Sequence, residues 1–193
     1  MAQRIGVISN FASPAAGGVV SGRYYDNAYH ATNAGAQAGA VNRADVFPFF
    51  VSSPFAVDAI GVVVTAAAAG GLGRCFIYDA GDDGWPDKLL WEADSNLDFG
   101  ATGHRQHLLP DPFVFDRGRA YWLGLRHSST AAVRSVVASS CVNLGLAGPT
   151  GSTYFTACRR IIPFSDPLPS KWGFSAGELV ASAGVPSVRM RAA

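Results

Sequence analysis

Charge is what this chain has least of. Only 15% of its 193 residues are charged, where an ordinary globular domain carries about 25%. Its 15 basic and 14 acidic side chains leave a net charge of +1 with no basic stripe, which argues against an electrostatic nucleic-acid binder. Lysine is nearly missing, with two (Lys88 and Lys171) beside thirteen arginines. The three cysteines, Cys75, Cys141 and Cys158, form no CxxC pair and have no histidine at finger spacing, so buried thiols are expected. The longest apolar stretch, residues 60–73, falls short of the roughly 18 residues a membrane span needs, and no membrane insertion is expected. The first residues lack a charged segment followed by an apolar one, so no signal peptide is expected and the chain reads as made in a bacterial cytoplasm. Heptads and Gly-x-y arrays are missing, so the chain cannot build a fibre shaft alone. There is no GxSxG elbow, GxxxxGK loop, HExxH or GxGxxG between a strand and a helix, and an enzyme is not expected. No cofactor is expected either.

What is present is a core. A hydrophobic content of 49% with 11% aromatics excludes a disordered chain, and a domain of this size hides roughly 70% of its unfolded surface. With so few charges the exterior must be rich in Ala, Gly, Ser, Thr and Asn. Such a surface suits coverage by further copies of the chain, and a homo-oligomer is expected. The arginine bias fits subunit contacts, because guanidinium tolerates partial desolvation better than ammonium does. Nine of the fourteen acids lie between Asp79 and Asp116, against two cations in the same stretch. The chain is therefore electrically polar along its length.

Residues 1–44 are rich in Gly and Ala and read as an extended arm, an attachment segment preceding a domain at 45–193. Gly35 and Gly39 argue against a helix over 31–44. From Asp45 onward, short apolar runs alternate with turn residues at the spacing of a β-sandwich. The expected strands are Val46–Val51, with Pro48 confining it to an edge or a bulge, then Val57–Thr65, Arg74–Tyr78, Leu89–Glu92, His104–Leu109, Arg119–Arg126, Val133–Ala138, Thr153–Cys158 and Pro186–Met190. Period two puts Ile60, Val62 and Val64 on one face, and sets Cys75 and Ile77 opposite Phe76 and Tyr78. Arg119–Arg126 is large on both faces, with Tyr121, Leu123 and Leu125 opposite Trp122, which marks a central strand covered twice. The fold class is all-β, with two antiparallel sheets forming a jelly-roll β-sandwich.

Two constellations are candidates for function. Asp79, Asp82, Asp83 and Asp87 crowd a glycine-containing turn and form a weak calcium candidate, although the spacing is not that of an EF-hand, and a solvated turn with carboxylates on backbone N–H groups is the simpler reading. Loop aromatics beside carboxylates are the second. Trp85, Trp172 and Tyr154, with Asp82, Asp83 and Asp87, are the expected carbohydrate-binding residues, with Tyr29, Trp91 and Arg74 nearby, since flat rings stack on pyranose C–H faces. The other reading makes Trp85 and Trp172 interface anchors and Trp91 and Trp122 core. Adjacent carboxylates also admit a glycan hydrolase as a third reading. His104 and His107, three apart in a strand, fall on opposite faces and cannot easily share a metal; His30 and His127 are isolated.

The strings DVFPFFVSSPFAVDAIGVVVTAAAAGG, RCFIYDAGDDGWPDKLLWEAD and GRAYWLGLRHS, in that order across residues 45–128, resemble a β-sandwich module of tail and fibre proteins of tailed bacteriophages and of spike or fibre proteins of gene transfer agents. The resemblance implies a virion component similar to carbohydrate-binding modules. Such a subunit of a head spike or tail fibre is displayed on the particle exterior, contacts other virion structural proteins, and binds host surface polysaccharide during adsorption. A purely architectural subunit, a head decoration or tail connector, is the alternative. The arm before residue 45 and the basic end at Arg189 and Arg191 are where attachment to a partner or to neighbouring copies is expected.

Overall fold

A computed structural model of the chain describes residues 19–28, 35–146, 149, 154–181 and 184–193. In chain order the first strands are β1 (Tyr24–Tyr25), β2 (Gly35–Ala38), β3 (Arg43–Phe50), β4 (Phe55–Ala66), β5 (Leu72–Ala80), β6 (Pro86–Glu92) and β7 (Leu97–Asp98). They are followed by β8 (Gly103–Phe115), β9 (Ala120–His127), β10 (Ala132–Val137), β11 (Phe155–Ile161), β12 (Leu179–Ala181), β13 (Gly184–Pro186) and β14 (Arg189–Ala192). These form two sheets of seven strands. The first runs β1-β14-β4-β10-β13, with β2 on β10 and β8 on β4; the second runs β12-β11-β3-β9-β5-β6, with β7 on β5. Every pairing among the described residues is antiparallel. The fold is an all-β sandwich, as the strand spacing predicts.

Alternation decides which side chains go where. In β9, Tyr121, Leu123 and Leu125 point between the sheets, while Trp122 points to the other face of the second sheet. In β5, Cys75 and Ile77 point inward with them, and Phe76 and Tyr78 outward with Trp122. From the first sheet, Val57, Ile60, Val62, Val64, Val133 and Met190 close the interior. Pro48 sits in β3 between two neighbours, but β11 pairs only with Arg43–Val46. At Pro48, therefore, β3 is paired on the β9 side alone, which is the local edge that proline requires. The described residues of the expected arm, 19–28 and 35–44, turn at 21–22 and 41–42 and contribute short strands fastened to the sandwich. β1 pairs with β14, and β2 with β10. Buried Asn27 donates to the Pro186 carbonyl and accepts the Val188 N–H.

The outer face of the second sheet carries a core of its own. Residues 162–179 cross it as a strap, and Leu168 and Trp172 pack with Ala44, Val46, Phe76, Tyr78, Trp122 and Cys158. Backbone bonds hold the strap, from Ile162 to Asn42, from Leu89 to Ser170 and from Trp172 to Asp87. Arg126, 1% exposed, clamps it from beneath. Its guanidinium pairs with Glu92 at 2.9 Å and donates to the Pro163 and Asp166 carbonyls at 2.8 Å each. Gly124 leaves room for this layer, because a Cβ there would stand 2.0 Å from the Phe76 ring.

Candidate functional site

Of the two tryptophans expected to bind sugar, the strap buries Trp172 and leaves Trp85 half-buried. Trp172 is 1% exposed. It lies parallel to Phe76 at 6.5 Å and edge-on to Tyr78 at 5.2 Å. The Arg160 guanidinium stands 4.7 Å over its ring, and its indole N–H donates to Glu178. Trp85 stacks on Phe174 at 3.8 Å, the two rings nearly parallel, and meets Trp122 at 5.9 Å. Rings of the same chain therefore engage Trp85 and cover Trp172. The sequence could not show this, because Phe174 and Trp122 lie far from Trp85 along the chain. Tyr154 is exposed but bridges to Leu146, and no contact among the described residues joins it to Trp85 or Trp172. Trp91 is half-buried against the sandwich interior, and Arg74 is paired with Glu92. Tyr29 and His30 lie outside the described residues.

The carboxylates of the acidic turn are directed to different partners. Asp79 pairs with Arg119 at 2.5 Å and Asp87 with Lys171 at 2.9 Å. Asp83 accepts the Trp85 N–H, and Asp82 points to solvent. No group of three or more His, Cys, Asp or Glu side chains suited to a metal converges among the described residues. The carboxylates serve cations and turn amides instead. A strong chelator is expected to leave the melting temperature unchanged; a fall reversed by added calcium would show a site here.

The structure assembles a different constellation on the outer face of the first sheet. Register puts Tyr24, Arg191, Ala59 and Leu108 in one row across β1, β14, β4 and β8. The next row holds Arg189, Gly61 and Gln106, and beyond it His104 pairs with Val63. Cross-strand partners share a face, so these side chains point the same way. Tyr24 starts at the sheet edge, yet its hydroxyl donates to Gln106 Oε1 at 2.8 Å on β8. To reach there the side chain must lie along the sheet across β14 and β4. Ala59 and Gly61, both buried and without bulk, permit this. Gly61 cannot carry a side chain, since a Cβ would stand 2.1 Å from the Arg105 carbonyl. The phenol ring therefore has an inner side on the sheet and an outer side in solvent, with the residue 44% exposed. His104 stands perpendicular to it, ring centroids 5.2 Å apart.

The polar groups around this ring are set by their neighbours. Asp58 grips Arg191 through two nitrogens, at 2.7 and 3.0 Å. Hydrogen bonding from Arg191 holds the Asp58 carboxyl below its ordinary value and keeps both groups charged. Burial, helped by Arg189 and Arg105, pushes the His104 imidazole below its usual range, so it is neutral at pH 7 and can both donate and accept. The site thus offers one apolar ring surface flanked by an amide, an imidazole and two guanidiniums. A scan of protein-family models and a search of curated proteins each found no match to this chain.

Sequence reasoning placed Arg189 and Arg191 at an attachment point and His104 apart from His107, but did not join them. A signal was present. Arg189 and Arg191, and likewise His104, Gln106 and Leu108, are spaced by two in strands and must share a face. What joins the two sets is the pairing of β14 and β8 to opposite sides of β4.

Proposed function

We propose that this chain is a non-catalytic subunit of a phage-like particle, oligomeric in its working state, that binds cell-surface polysaccharide through the outer face of its first sheet. The observation that carries the binding is the Tyr24 ring, spread over Ala59 and Gly61 with its outer side open and polar groups at its rim. A pyranose ring presents a C–H face and a ring of hydroxyls, and this surface matches both. Gln106, His104 and Arg189 are the groups that would read hydroxyls. The nearest carboxylate, Asp58, is committed to Arg191, which leaves no acid pair of the kind glycoside cleavage uses. The particle context is supported by the order of the three strings in residues 45–128 and by the low charge. Repetition of a weak site across an oligomer multiplies affinity for a polymer.

The test is adsorption of the purified oligomer to capsule or lipopolysaccharide from candidate hosts. Tyr24→Ala is expected to weaken binding at least tenfold, about 1.4 kcal/mol, and Tyr24→Phe, which loses only the hydrogen bond to Gln106, separates this from any change in the denaturation midpoint. Tyr24→Phe keeps the ring and is expected to keep the binding. If no polysaccharide binds and this face is protected from hydrogen exchange in the oligomer, the architectural reading replaces this one. One observation favours that second reading: Leu108 and Val114 are 67% and 56% exposed, and both lie on this face beside β4.

A further inference from the structure

We infer that the saccharide bound on the first sheet is an acidic one, a sugar whose carboxylate docks on the Arg189 guanidinium beside Tyr24 and His104; this rests on the polysaccharide-binding reading above. In the rows beside Tyr24, Arg189 and Arg191 stand with Asp58, and Asp58 is spent on Arg191 through two bonds. Arg189 has no acidic partner among the described residues. Its cross-strand neighbour is Gly61, which has no side chain to compete for the space beside it. Arg189 is half-buried, as an arginine is whose stem packs on a sheet while its planar head stays available to a ligand. A guanidinium fork matches a planar carboxylate in two parallel bonds, and such charge-assisted pairs are about twice as strong as neutral ones.

The surroundings agree in sign. The acidic hairpin does not share this face: Asp79 and Asp87 belong to β5–β6 of the second sheet and are paired with Arg119 and Lys171, while Asp111, the one acid within β8, lies past Leu108 along the strand from Gln106 and His104. His104, already neutral, adds a hydrogen-bonding group that does not repel an anion. A neutral sugar would use the ring and the amide but leave Arg189 without a counter-charge. A hexuronate or sialate residue uses all of them, with its C–H face on Tyr24 and its carboxylate at Arg189.

The experiment is a glycan array at physiological salt, carrying carboxylated, sulfated and neutral saccharides in parallel, probed with the intact oligomer and with Tyr24→Ala, Arg189→Gln and Arg189→Lys. Tyr24-dependent hits should be confined to carboxylated glycans. Arg189→Gln should weaken them at least tenfold, and Arg189→Lys, which keeps the charge but not the fork, should fall between. Circular dichroism and denaturation midpoint are expected to match wild type for both variants. Tyr24-dependent hits of equal strength among neutral glycans would overturn this inference and leave the binding reading standing. Hits on sulfated glycans alone, or carboxylated hits indifferent to Arg189→Gln, would also overturn it. Absence of any Tyr24-dependent hit would overturn both.

Discussion

Replacing Trp172 by alanine is expected to remove about 3–5 kcal/mol of folding stability, the range for emptying a buried aromatic site. The indole is sealed between Phe76 and Tyr78 on the sheet and the Arg160 guanidinium above. Its N–H donates to Glu178 at 2.8 Å, and Glu178 is also the ion-pair partner of Arg160. Truncation therefore leaves a cavity and loosens a charged pair together. The strap should respond more than the sandwich does, because Leu168 and Trp172 are its buried anchors while the interior between the sheets is untouched. Guanidinium denaturation gives the loss of stability, and hydrogen exchange should show residues 162–179 opening ahead of β3 and β9. Binding through Tyr24, on the other sheet, should survive. A stability change under about 1 kcal/mol with loss of polysaccharide binding would return Trp172 to the role of a sugar platform.

The second large effect is acid instability, and it comes from two buried histidines. His127 is fully buried, and neither ring nitrogen has a hydrogen-bond partner among the described residues. Burial, with Arg43 and Arg159 adding repulsion, pushes its pKa down to about 3. The two arginines stay in place because both bond Asp45, at 2.8 and 2.7 Å. Burial likewise takes His107 down to about 4, with Asp94 opposing and Arg74 assisting. Its Nε2 accepts the Cys75 N–H at 3.4 Å, a bond that only the unprotonated nitrogen can make. Both folded values lie below the unfolded one, near 6.5. The unfolded chain therefore binds protons first as the pH falls, and stability present in full above about pH 6.5 drains away towards pH 4 and below. At about 1.4 kcal/mol per pKa unit the loss by pH 4 is on the order of several kcal/mol. Thermal melts from pH 8 to pH 4 should show a falling midpoint. His127→Phe, which cannot protonate, should flatten that dependence whatever it does to the midpoint at pH 7. A midpoint constant between pH 7 and pH 4.5 would refute the assignment.

Much of the fold was legible because alternation is local. Phe76 and Trp122 on one side, Cys75 and Leu123 on the other, follow from the pleat alone, and the two-faced β9 followed from having large residues at both parities. The strands that went unseen, β1, β2, β7, β12 and, apart from Pro186, β13, are two to four residues long. So short a run holds no period to read, and such strands form because a neighbour already presents N–H and C=O groups. The candidate site was less legible. Trp172 looked like a loop aromatic because Phe76 and Tyr78, on which it packs, lie far away in sequence, and the Phe174 ring that stacks on Trp85 is similarly distant from it.

By itself the sequence determined the class of structure, the alternation within each long strand and the scarcity of surface charge. These depend on residue type and on spacings of two, which a backbone enforces without reference to the rest of the chain. Tertiary structure alone decided which aromatic rings remain in solvent. Tyr24 meets Gln106 across 82 residues, and Phe76 and Trp172 meet through a strap that crosses back over the sheet. Exposure is a property of what lies above a side chain, and what lies above is fixed by strand order and register, which are set by contacts distant in sequence.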